Sequence, residues 1–145
     1  MKKEYKSVVI DSSIALKWYL KDEDGSEKAL ELLYDFAGGI LELLAPDLIY
    51  HELLNGLIVA HRRGRIESNE LENAIEGFVE LGISLAETAS FYKRTLYFAE
   101  AFKRSAYDAA YLCLSEARQV PYLTADKRLF NAVQDKIKSV ILIGA

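Results

Sequence analysis

Short apolar runs alternate along the chain with longer stretches in which apolar residues recur every three or four positions. Residues 6–10 (Lys-Ser-Val-Val-Ile) are β-branched and stop at Asp11-Ser12-Ser13, which predicts a buried strand. Ile14, Leu16, Trp18, Tyr19 and Leu20 then follow a mostly helical spacing, broken by the polar stretch 21–26. Ser26 is placed to cap a second helix to about 36, which Gly38-Gly39 closes. A short strand follows over 41–44. Pro46-Asp47 opens a helix that runs to His61-Arg62-Arg63-Gly64, and Ser68 starts another through about 81. Residues 82–85 predict a strand, 88–103 and 107–118 helices, 120–124 a strand, 126–133 a short helix and 139–143 a closing strand. Strand and helix alternate throughout, so the connections are crossovers. The expected fold is α/β, a three-layer α/β/α arrangement around a mainly parallel sheet, in one domain over 1–145.

Composition narrows this picture. Of 145 residues, 51% are hydrophobic, enough for a full core, and the 28% that are charged are dispersed. Neither feature suits a disordered chain. Met1-Lys2-Lys3 leads into polar residues rather than the apolar core of a secretory leader, and no apolar run reaches the roughly 18 residues that span a bilayer. A cytoplasmic protein with no membrane association is expected. Cys113 is the single cysteine and sits on an apolar helical pattern, where a buried inert thiol is expected. The net charge of −4 argues against a clamp that grips nucleic acid through bulk positive charge. It does not argue against an enzyme that meets a phosphodiester through metal ions.

Ligands of parallel α/β sheets bind beyond the carboxyl ends of the strands. Asp11 and Asp126 both follow apolar strands and would project at that edge. Each alone reads equally as a helix N-cap. Asp108 lies in the first turn of an otherwise apolar helix, where dipole stabilisation is a sufficient reason for an acid. Glu52 lies beside the apolar stripe of Leu48, Ile49, Leu53 and Leu57, and a solvated flank is as good a reading as an inward one. Gathered at one edge, however, four carboxylates would repel each other and raise one another's pKa unless a cation neutralised them. Oxygen donors without neighbouring His or Cys suit Mg²⁺ or Mn²⁺ rather than zinc. His51 and His61 are ten residues apart and do not form a zinc-binding pair, so surface or packing roles are expected.

The order of these segments resembles the PIN-domain ribonucleases, and within them the VapC-type toxins of prokaryotic toxin–antitoxin pairs. The resemblance rests on Val9-Ile-Asp-Ser-Ser, Pro46 through Glu52-Leu-Leu-Asn55, Tyr107-Asp108-Ala-Ala-Tyr111 and Thr124-Ala-Asp126, and covers nearly the whole chain. It implies a divalent-metal-dependent endoribonuclease using Mg²⁺ or Mn²⁺, with Asp11, Glu52, Asp108 and Asp126 at the family's four acidic positions. It further implies supporting hydrogen bonds from Ser12, Ser13 and Thr124, with Asn55 in an outer role. Ser12 and Ser13 would cap the first helix, leaving Asp11 as a ligand. A phosphatase reading would require an acid where Ser13 stands, and a phospho-receiver reading leaves Glu52 unexplained.

Lys127 and Arg128, beside Asp126, are candidate RNA phosphate contacts. Arg62-Arg63-Gly64-Arg65 reads first as a helix terminus. Trp18, Tyr19, Phe91, Tyr92, Tyr97 and Phe98 should mostly be core, with a residual patch for a partner. The resemblance implies a homodimer and a cognate antitoxin protein. A PIN-type RNA-processing or quality-control nuclease without a toxin role, and a non-catalytic interaction domain, are the alternatives.

Overall fold

Val8, Val9 and Ile10 are wholly buried, and the strand they form is the middle of the sheet. The computed structural model describes residues 5–144; Met1-Lys2-Lys3, read above as no leader, lies outside them. The strands are β1 (Ser7–Ile10), β2 (Glu42–Pro46), β3 (Ser84–Ala86), β4 (Tyr122–Thr124) and β5 (Val140–Leu142). The helices are α1 (Ser12–Tyr19), α2 (Ser26–Ala37), α3 (Ile49–Arg62), α4 (Ser68–Glu80), α5 (Tyr92–Phe102), α6 (Ala106–Arg118) and α7 (Lys127–Val133).

All strand pairs are parallel, in the order β3-β2-β1-β4-β5, as expected for crossover connections. Right-handed crossovers put α1 to α4 on one face while the chain moves outward from β1 to β3. The chain then returns across the sheet to β4, which puts α5 to α7 on the other face. The packing agrees: α1 lies against α2 and α3, α3 against α4, and α5 against α6. The direction of travel reverses between β1 and β4, so the crevice at their carboxyl ends is the topological switch point of the sheet.

Three boundaries differ from the sequence expectation. β2 continues to Pro46, paired with Ala86, and α3 begins only at Ile49. Proline's fixed φ also suits the end of a strand, so Pro46 closes β2 instead of opening the helix. Residues 88–103 divide into a 3₁₀ turn at Ala89–Phe91 and α5. Ser26 is the first residue of α2, its hydroxyl donating to the Glu23 carbonyl, while Gly25 takes the cap position at φ +82°.

That glycine is required. A Cβ at Gly25 would stand 2.5 Å from Gly144 Cα, and left-handed backbone costs other residues about 1–2 kcal/mol. Gly25→Ala is therefore expected to lower stability by more than about 1 kcal/mol, measured as an earlier urea midpoint at unchanged m-value.

The aromatic residues divide between core and surface. Trp18 and Phe98 are buried, Tyr19 and Phe91 half-buried, and Tyr92 and Tyr97 exposed on α5 with Leu96. Cys113 is buried on α6 beside Thr95, and burial pushes its thiol pKa up, so the reactive thiolate is disfavoured. Arg65 turns back to Asp22 (2.7 Å) and Glu23 (3.4 Å), the structural role read for the basic cluster. His51 packs edge-on to Tyr50, and His61 Nδ1 lies 2.9 Å from the Ile66 carbonyl, so both histidines have surface or packing roles. No helix among the described residues is long and apolar enough to cross a membrane.

Candidate active site

Asp11 follows the last residue of β1, next to Thr124 at the end of β4, and is 6% exposed. Its carboxylate is fully engaged. Oδ1 accepts the Ser13 amide at 3.0 Å and the Ser13 hydroxyl, while Oδ2 accepts Tyr122 Oη at 2.7 Å and Thr124 Oγ1 at 2.5 Å. Asp11 itself is the N-cap of α1, a correction to the assignment of that role to Ser12 and Ser13. Only the residue preceding the helix, with extended backbone, can fold its side chain onto the amide of Ser13. Ser13 instead links the two strand ends, accepting the Ala125 amide at 2.8 Å while donating to Asp11. Burial pushes the Asp11 pKa up, and the hydrogen bonds partly offset this.

Glu52 enters from the first turn of α3 and is half-buried, so it faces inward rather than lying on a solvated flank. Tyr111 on α6 donates to its Oε1 at 2.5 Å. Burial raises the Glu52 pKa, and the charges of Asp11 and Asp108 raise it further. Three acids from β1, α3 and α6 thus share one field. Asp108, in the first turn of α6, donates its amide to the Ser105 cap hydroxyl, and its Oδ2 accepts from Arg104.

The fourth candidate acid, Asp126, is engaged by its own helix. It caps α7 through the amides of Arg128 (3.0 Å) and Leu129 (3.2 Å). Its own amide donates to Thr124 Oγ1 at 3.1 Å, the hydroxyl that in turn donates to Asp11. Lys127 and Arg128 beside it are exposed. Ser12 and Asn55 make no side-chain hydrogen bond to these acids, and Asn55 points to solvent.

Two tyrosines were not singled out from the sequence. Tyr111 and Tyr122 are both buried and stack with ring centroids 5.6 Å apart, each placing its hydroxyl on a different acid. The readable signal was a tyrosine in a fully buried strand, whose hydroxyl must find a partner. Tyr122→Phe is expected to cost about 1 kcal/mol of stability. Loss of a group that orients a site carboxylate should also lower metal affinity or activity by about 10–100-fold, measured by thermal melting and activity assay.

The PIN domain family model matches residues 8–136 of this sequence. The chain belongs to the PIN domain family. A solved structure, the crystal structure of PAE2754 from Pyrobaculum aerophilum, superposes with a TM-score of 0.65 at 17% identity, covering 88% of this chain and 79% of that one. At that identity the likeness speaks to the fold. The curated proteins contain no match. PIN domains are generally metal-dependent nucleases, and the PIN fold accounts for an acidic crevice at the switch point.

The donor chemistry of this PIN site fits a hard divalent cation, since Asp11, Glu52 and Asp108 offer carboxylate oxygens, and burial, with the charges of Asp11 and Asp108, raises the Glu52 pKa while no cation offsets it. The side chains are not closed into a ready cage. Among the described residues, no three of the His, Cys, Asp and Glu side chains are gathered as a ligand set. Asp11 and Glu52 are held by hydroxyls and Asp108 by a guanidinium. Hydroxyls can rotate, so the donors on Asp11 can yield when a cation approaches.

The raised acids carry a sign. In the window between the ordinary carboxylate range and the raised native values, the folded state holds more protons than the unfolded one. Their contribution therefore weakens stability as pH rises through that window, and acidification back through it restores stability. Glu52→Gln keeps an acceptor for Tyr111 without the charge. In chelator it should melt higher than the parent at pH 7, and the difference should shrink on acidification through that window.

Proposed function

We propose that the chain is a divalent-metal-dependent endoribonuclease and the toxin of a type II toxin–antitoxin pair. The observation that carries the nuclease reading is the meeting of Asp11, Glu52 and Asp108 in one field at the β1–β4 switch point. Asp11, Glu52 and Asp108 are the residues that would hold Mg²⁺ or Mn²⁺, with Asp126 able to orient water or a second ion at the rim. When bound, the cation lowers the pKa of a water and offsets charge on the phosphodiester.

The protein's own groups do the remaining work. Ser13, Tyr122 and Thr124 fix the Asp11 carboxylate, and Tyr111 fixes Glu52. The buried strand ends limit the motion of these groups and keep bulk water from the inner side of the site. Lys127 and Arg128, exposed beside Asp126, supply positive charge for the RNA backbone. With a net charge of −4 the chain lacks a general polyanion grip, so binding is expected to centre on the crevice. Single-stranded RNA fits such a crevice better than a duplex, whose readable edges lie in a shallow groove.

The exposed Tyr92, Leu96 and Tyr97 on α5 support a protein partner, either a second copy of the chain or the antitoxin. The test is incubation of the purified protein with total RNA and Mg²⁺ or Mn²⁺, with new 5′ ends mapped by sequencing. Recurrent metal-dependent ends are expected. Their absence under both metals would favour a non-catalytic interaction domain. Induced expression should arrest growth, with rescue by the gene adjacent to its own. Cleavage without growth arrest would favour an RNA-processing role.

A further inference from the structure

Asp108 meets a cation from its own chain. Lys103 caps the end of α5 in left-handed backbone (φ 54°), and this turn brings Arg104 one helical turn ahead of Asp108. Arg104 Nε (3.2 Å) and Nη2 (3.0 Å) both bind Asp108 Oδ2, while Oδ1 has no hydrogen-bond partner among the described residues. The two side chains are only 20% and 27% exposed, so water screens this pair less than a surface pair. The other ion pairs among the described residues use Lys17, Arg65 and Arg94 with Asp22, Glu23 or Glu116, all acids outside the site. Arg104 is thus the cation paired within the trio.

We propose that Arg104 is a resident counter-ion of the acidic site, and that a divalent cation must displace it from Asp108 in order to bind. The inference rests on the metal-site reading given above. A guanidinium and a divalent ion cannot share one carboxylate without repulsion, and the open Oδ1 gives the incoming ion a first foothold. As it binds, the stronger positive charge takes the carboxylate and the guanidinium turns outward. The arrangement has two consequences. It offsets repulsion among Asp11, Glu52 and Asp108 while no metal is bound, and it raises the metal concentration needed to load the site. A purely structural role, tying the loop to the first turn of α6, would give neither.

The test is Mn²⁺ binding to the chelator-stripped full chain, followed by the loss of the free-ion electron paramagnetic resonance signal. Compared are the parent, Asp11→Asn, Arg104→Gln and Lys103→Gln, with Arg104→Met as the substitute should Arg104→Gln not fold. The parent should bind and Asp11→Asn should lose binding, as the metal-site reading requires. Arg104→Gln should bind Mn²⁺ about threefold more tightly or better, the size expected for one nearby charge in a partly screened site. It should also melt lower than the parent in chelator, with the gap closing as Mn²⁺ is added. Lys103→Gln removes an exposed charge one residue away and should have less than half that effect on affinity. Unchanged or weaker binding by Arg104→Gln would overturn the proposal while leaving the metal site intact. Equal tightening by Lys103→Gln would also overturn it, by showing a general field effect. A parent that binds no Mn²⁺ at millimolar concentration would remove the metal-site reading as well.

Discussion

Asp11→Asn is expected to lower RNA cleavage by at least about a hundredfold while the protein remains folded, a floor set by the losses seen when groups outside a metal's direct ligands are removed. The substitution keeps the side-chain shape and an oxygen for the Ser13 amide that starts α1. Its new amide group faces Tyr122 and Thr124, whose hydroxyls can rotate from donating to accepting. What disappears is a buried charge at the centre of the switch point and its contribution to the field at Glu52. Far-ultraviolet circular dichroism should match the parent, while gel-resolved cleavage should fall to background. Folded Asp11→Asn protein cutting at the parental rate would remove Asp11 from the active site.

Trp18→Ala is expected to cost about 3–5 kcal/mol, against a total stability of about 5–15 kcal/mol for a domain. Trp18 is 2% exposed, donates to the Ala29 carbonyl of α2 at 2.7 Å, and lies against Phe78 of α4 with ring centroids 6.4 Å apart. One side chain therefore ties α1 to two other helices. Its loss leaves a large cavity that flanking helices can only partly close. Because Asp11 caps α1, loosening the helix should also blur the site. Urea unfolding followed by circular dichroism should show the shift. Tyr107→Ala on the exposed start of α6 should stay within about 0.5 kcal/mol of the parent. A Trp18→Ala midpoint as little changed as that of Tyr107→Ala would contradict the packing account.

The layered α/β order was legible because buried parallel strands carry uninterrupted apolar runs such as Val8-Val9-Ile10, bounded by turn-forming residues. Boundaries were less legible where a residue serves two ends at once. Pro46 is a good helix opener and also a good strand terminus, and its pairing with Ala86 decides in favour of the strand. Asp11 posed the same ambiguity as cap or ligand, and its geometry serves the cap while leaving it at the acidic crevice.

The candidate acids were legible by residue type and order, and for Asp11 and Asp126 by position, since a carboxylate after a parallel strand must emerge at one edge. The inward turn of Glu52 and its bond from Tyr111 were not, because they depend on how α3 and α6 pack over the sheet. Tyr111 and Tyr122 were given no role from the sequence, although a buried tyrosine hydroxyl must find a partner and here each finds an acid. The i,i+4 spacing of Arg104 and Asp108 was also readable as a helix-type pair, but the turn at Lys103 that brings them together was not. Asn55 lies three residues after Glu52, close to it on a helical wheel, yet it faces solvent.

The central claim is that cleavage runs on a divalent cation held by these acids. The most direct measurement is a time course on single-stranded RNA in which Mn²⁺ is supplied, removed with chelator and then restored. Cleavage that starts with the metal, stops with the chelator and resumes on restoration is the expected result. Cleavage that continues unchanged in chelator, or never starts with metal present, would contradict it.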